Sequence, residues 1–133
     1  MTPRQRIAFR ILFFLYLAGV LFLCFGKFRS NPSVPLELFG IPTDKLVHFG
    51  MFFPFPILAF LAFDHRTDSV PATLACTGIT LILGLILAGG TEWGQAVLTD
   101  YRSGDRLDFA ADAVALVCAS VLVAVWDIRK QKR

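Results

Sequence analysis

The sequence predicts an all-α membrane protein: a compact bundle of four transmembrane helices with both termini cytoplasmic. Three observations carry that prediction. Of 133 residues, 56% are hydrophobic and only 17% charged, with a mean hydropathy of +0.64. A soluble fold of this size leaves much of its surface in water and cannot hide so much apolar area. Four apolar runs, at 7–25, 46–63, 70–97 and 107–126, match the ~20 residues needed to cross a hydrocarbon core of ~30 Å. The basic residues divide unevenly between the two sides. Arg4, Arg6, Arg10, Arg66, Arg129, Lys130, Lys132 and Arg133 fall on one, and Lys27, Arg29, Lys45, Arg102 and Arg106 on the other. The positive-inside rule places the richer side, with both ends of the chain, in the cytoplasm. Residues 1–133 therefore read as a single domain, multi-pass in the cell membrane, with membrane lipid as its first partner. The net charge of +3 arises from these flanks and does not point to nucleic acid.

The first run follows the basic opening MTPRQRIAFR, the arrangement of a secretory signal. The following GKFRSNPS has no small-x-small cleavage pattern, so a retained signal anchor is expected. Pro32, Pro35 and Pro42 then punctuate an outer loop. The second run opens at Thr43, a plausible N-cap, with Asp44 complementing the positive end of the helix dipole. Asp44 and His48 are four apart and share a face. Pro54 and Pro56 withdraw the usual hydrogen-bond partners of the Gly50 and Phe52 carbonyls, predicting a kink or an opened helix near His48. DHRTDSVP turns the chain, with His65 facing the cytoplasm. In the third run Gly90 and Gly94 form GxxxG, a spacing that admits a neighbouring backbone. In the fourth, Asp108, Asp112, Ala115 and Ala119 form one stripe, so runs three and four are expected to pack with Glu92 opposite Asp108 or Asp112. Ser103 or Asp105 is suited to cap the fourth helix. Cys24, Cys76 and Cys118 stand singly, without metal or redox spacing, and read as small buried hydrophobes.

The charges of the stretch from Gly89 to Asp112 are the informative feature. A charge at the centre of a membrane helix costs roughly 2.5–3.5 kcal/mol on insertion scales, so it has a partner or a task. The topology puts Asp44, Lys45, His48, Glu92, Gln95, Arg102, Arg106, Asp108 and Asp112 in one layer near the outer interface. These nine are the candidate binding residues. His48 and Glu92 are the candidate acid and base. No nucleophile elbow, HExxH, phosphate-cradling glycine loop or cofactor motif is present, so no cofactor is assigned. No metal is assigned either, because Asp44, His48, Glu92 and Asp108 read equally as an ion-pair network.

Three motifs in order, Asp44-Lys45-Leu46-Val47-His48-Phe49, Glu92-Trp93-Gly94-Gln95, and Arg102 to Asp105 or Arg106 to Asp112, resemble the VanZ-like family of integral membrane proteins. The resemblance runs from about residue 44 to 119. A departure is Ala113, where many relatives carry an Asn. The resemblance implies several spans, no agreed biochemical activity, and a connection with resistance to teicoplanin, a lipid-bearing glycopeptide. The function expected from it is an envelope accessory protein that binds or remodels a lipid-linked peptidoglycan precursor or a lipophilic glycopeptide. Lys45, Arg102 and Arg106 suit phosphate or carboxylate oxygens. Two alternatives stand beside it: a membrane enzyme on a lipid-linked substrate, using His48 and Glu92, and a purely structural polar network that locks the helices together.

Overall fold

The computed structural model describes residues 1–25, 37–38, 40–63, 68–99 and 106–133. Helix α1 spans Pro3–Phe25. Thr2 and Gln5 form a reciprocal cap at its start: the Gln5 amide donates to Thr2 Oγ1 (3.2 Å) and the Thr2 nitrogen to Gln5 Oε1 (2.8 Å), satisfying donors that a helix start leaves orphaned. Glu37–Leu38 (β1) pairs antiparallel with Ile41–Pro42 (β2), turning through Gly40 at φ 75°, where a side chain would be strained.

The second apolar run is two helices, α2 over Thr43–Phe52 and α3 over Pro54–Phe63. The break at Phe53 lies where Pro54 removes an amide donor, as the proline spacing predicts. At the junction the Tyr16 hydroxyl of α1 donates to the Met51 carbonyl, the one between the Gly50 and Phe52 carbonyls that the prolines deprive of donors. Helix α4 runs over Val70–Leu98, N-capped by Ser69, and α5 over Arg106–Gln131. The helices exceed the apolar runs at their polar ends, since a helix continues past the hydrocarbon wherever no breaker stops it. Both α1 and α5 do so, reaching back to Pro3 and on to Gln131.

Among the described residues, four helical segments are long and apolar enough to cross a membrane: α1, the α2–α3 pair, α4 and α5. Helix α5 is the hub, packing chiefly on α4 and α2, while α3 packs chiefly on α1. Phe13, Val20, Phe52, Phe55, Ala88 and Leu116 belong to the shared core. Phe14, Leu15, Phe22, Ile82, Ile86 and Leu122 face outward and exposed, an exterior whose natural solvent is lipid.

Ala115 and Ala119 of the expected stripe are fully buried, and α5 packs on α4, α2 and α3. Gly90 and Gly94 do not make the α4–α5 contact. Gly90 is open, with nothing near its missing side chain, and Gly94 faces the Phe25 ring of α1. The close approach to α5 is at Gly84, where an added Cβ would stand 2.7 Å from Leu116 Cδ2. GxxxG marks only spacing, and here its two glycines have different neighbours.

Two polar layers occupy opposite ends of the bundle. At the end holding both termini, Thr73 Oγ1 donates to Asp127 Oδ2 (2.6 Å), and Gln131 Nε2 to Thr73 Oγ1 (2.7 Å) and Asp127 Oδ2 (3.1 Å). Arg10 Nε donates to the Ala62 carbonyl (3.1 Å) at the end of α3 and lies 5.6 Å from the Phe63 ring. Of the cysteines only Cys24 is buried; Cys76 is half-buried and Cys118 exposed. Cys118 thus departs from the expected buried role.

Candidate functional site

At the other end, α2, α4 and α5 bring their ionisable residues together. Counting from the helix ends, His48, Glu92 and Asp112 each lie about 8–9 Å inside at a rise of 1.5 Å per residue. His48 is the centre. Its Nδ1 is 2.9 Å from Asp112 Oδ1 and 3.7 Å from Glu92 Oε1, and its Nε2 is 3.4 Å from Asp108 Oδ2. One imidazole therefore faces three carboxylates from two other helices. Lys45, one helical step before that turn, bridges Asp44 Oδ2 (2.9 Å) and Asp108, pinning the start of α2 to the start of α5.

Burial grades the site. Asp112 has no exposure to solvent, and its Oδ2 is buried without a hydrogen bond. Glu92 and His48 are buried, Asp108 and Lys45 half-buried, and Asp44 exposed. The gradient follows the helix axes, from rim to interior. A carboxylate buried this completely costs several kcal/mol to desolvate, and only its partners offset that. The imidazole of His48 is the partner present.

Six of the nine predicted residues meet here: Asp44, Lys45, His48, Glu92, Asp108 and Asp112. Glu92, expected to pair with His48, Arg102 or Arg106, has its Oε1 3.7 Å from His48 Nδ1. Gln95 does not join them. Its Nε2 donates to the Cys24 carbonyl (2.7 Å), closing an orphan acceptor at the end of α1. Three residues of helix rotate Gln95 about 60° from Glu92, enough to direct the two at different neighbours. Arg106 opens α5 and is exposed. It is two residues from Asp108, which places them about 160° apart around the helix, and the cation at Asp108 is Lys45 instead. Arg102, Ser103, Asp105 and His65, with the caps and roles expected of them, lie outside the described residues.

Sequence reasoning missed the Thr73–Asp127–Gln131 cluster and the Tyr16 hydroxyl at Met51. Asp127 reads as an ordinary charge at a helix end, and no spacing rule ties it to Thr73, which precedes it by 54 residues.

His48, Glu92 and Asp108 each offer one ligand atom, all within 4.8 Å of one another; Asp44 stands outside that group. Chemically, the layer can hold a cation, move a proton along the His48–Asp112 contact, or lock three helices. Comparison with protein-family models, with curated proteins and with solved structures finds no match to this chain.

Proposed function

We propose that the chain is a VanZ-like envelope accessory protein, multi-pass in the cell membrane with both termini cytoplasmic. Its outward polar site would bind or remodel a lipid-linked peptidoglycan precursor or a lipophilic glycopeptide. The observation supporting a working site is the gathering of ionisable groups from α2, α4 and α5 around His48, a short way in from one end of the bundle. A headgroup carried on a lipid reaches such a layer sideways from the bilayer, without leaving the membrane. Arg106 and Asp44 stand at its exposed rim, Arg106 suited to phosphate or carboxylate by its planar fork. Arg102 and Lys45 add positive charge nearby in the sequence.

A second reading, a membrane enzyme on a lipid-linked substrate, draws on the 2.9 Å contact of His48 Nδ1 with Asp112. A buried carboxylate orienting an imidazole is a recurrent way to make a general base, with Glu92 as the second proton-carrying group.

The test is separate substitution of His48→Ala, Glu92→Gln and Arg106→Lys, measuring membrane abundance and teicoplanin susceptibility together. The expected result is a lost phenotype at normal abundance; lysine keeps the charge of Arg106 but not its fork. Parent-like susceptibility in all three would sink the reading. Loss of all three from the membrane would mean that the layer only holds the bundle together.

A further inference from the structure

We propose that His48, Glu92 and Asp108 form a binding site for a divalent transition-metal cation of the zinc or manganese class, with Asp112 as the positioning residue for His48. The donor set fits that class, since imidazole suits zinc and carboxylates suit manganese. The separations fit as well. A tetrahedral ion with bonds of about 2.0–2.1 Å holds its ligand atoms about 3.3 Å apart, and His48 Nε2 lies 3.4 Å from Asp108 Oδ2. The three residues can each place one ligand atom within 4.8 Å of the others; Glu92 Oε1 now stands 3.7 Å from His48 Nδ1 and would turn toward the Nε2 side to join the set.

The independent observation is Asp112. Histidines that ligate metals regularly donate their other ring N–H to a carboxylate, which fixes tautomer and orientation. Asp112 Oδ1 stands 2.9 Å from His48 Nδ1, leaving Nε2 for the cation. Asp112 is fully buried, and its Oδ2 has no hydrogen bond. That excess of acceptor over donor is the condition a cation relieves. Asp108 is divided between Lys45 at Oδ1 and His48 at Oδ2, so it can ligate without releasing Lys45.

The charge balance gives the site a purpose that rests on the headgroup reading above. Asp44, Glu92, Asp108 and Asp112 outnumber Lys45, His48 and the rim Arg106, and the three buried or half-buried carboxylates by themselves repel phosphate. A bound divalent cation reverses the local field and presents open positions to phosphate oxygens of a lipid-linked ligand.

Metal binding is tested first on the purified chain alone, in detergent, stripped with chelator and titrated with Zn2+. One ion per chain is expected, with binding abolished in His48→Ala and Asp108→Asn. Asp112→Asn should weaken affinity about 10–100-fold, the usual effect of disturbing a ligand's supporting carboxylate. Asp127→Asn, in the opposite polar layer, should bind as the parent does. No Zn2+ uptake by the parent, or undiminished uptake by folded His48→Ala and Asp108→Asn, overturns the site. Should those variants not fold, the Mn2+-loaded parent decides by spin-echo spectroscopy. Coupling to one imidazole nitrogen, retained in His65→Ala, supports the site; its absence overturns it. Polyprenyl diphosphate binding is then measured in nanodiscs, with inorganic diphosphate as the comparison. Lipid binding that requires the metal supports the bridge; equal binding with and without it overturns the bridge and leaves the headgroup reading standing. A stoichiometric metal with no diphosphate bound would overturn the bridge and the headgroup reading, while the metal site itself stood.

Discussion

Asp112 illustrates what one carboxylate does when it is fully buried. Its Oδ1 meets His48, and the rest of the group is enclosed by α5 and its neighbours. Truncation would leave the imidazole buried without its partner, a change that in proteins costs about 3–5 kcal/mol. Asp112→Ala should therefore lower unfolding free energy in detergent by that amount. Asp112→Asn keeps an oxygen for His48 and should cost only about 1 kcal/mol, the net worth of an ordinary hydrogen bond. It should stay in the membrane yet lose any envelope phenotype; equal stability losses for the two variants would show that charge, not shape or hydrogen bonding, is what matters there. This residue was legible in the sequence because a carboxylate in an apolar run stands out. Gln95 was only half legible. Its polarity marked it as paired, but a side chain three residues from Glu92 can face either neighbour, and the partner it found is a backbone carbonyl, which no sequence pattern displays. Arg106 was half legible for a related reason: two residues from Asp108, it falls on nearly the opposite side of the helix, at the exposed rim of the layer.

Among the elements, α4 depends on where its glycines fall. Gly84→Ala would push a methyl against Leu116 and Phe55, overpacking that costs typically 1–3 kcal/mol. Gly90→Ala meets nothing within 4 Å and removes a glycine from a helix interior, where alanine is favoured by about 1 kcal/mol. Paired melting measurements should move in opposite directions, and a larger loss at Gly90 would contradict the α4–α5 packing. The existence and approximate limits of the helices were readable from run length alone. The identity of the contact glycine was not, because helix rotation about its own axis is set by tertiary neighbours such as Leu116 and Phe25. The split of the second span was readable from Pro54 and Pro56, while the hydroxyl that seals it comes from another helix.

At the scale of the whole molecule, the alternation of four spans puts the termini and the Thr73–Asp127 cluster at one end, and the His48 layer at the other. Which end faces the cytoplasm is a matter of charge, eight basic residues against five. In a cysteine-free background, Ser33→Cys should be labelled by an impermeant thiol reagent from outside, and Asp68→Cys should be protected. Asp68 is preferred to Ser69, whose hydroxyl caps α4. The reverse pattern would turn the bundle over and bring the His48 layer to the cytoplasmic leaflet.

The broken second span has a mechanical meaning as well. Its first half rests chiefly on α5 and carries His48; its second half rests chiefly on α1, and also on α5 and α4. A continuous helix would transmit any tilt along its length, whereas this one is jointed at Phe53, and the Tyr16 phenol ties the end of the first half, at Met51, to α1, on which the second half also packs. The two halves can thus answer to different neighbours, and Tyr16 sets how stiffly they are coupled. Tyr16→Phe should raise amide exchange around residues 51–55 several-fold while leaving α4 and α5 unchanged. Such a joint would let the His48 end adjust to what it holds while the far end of the same span stays anchored beside Arg10.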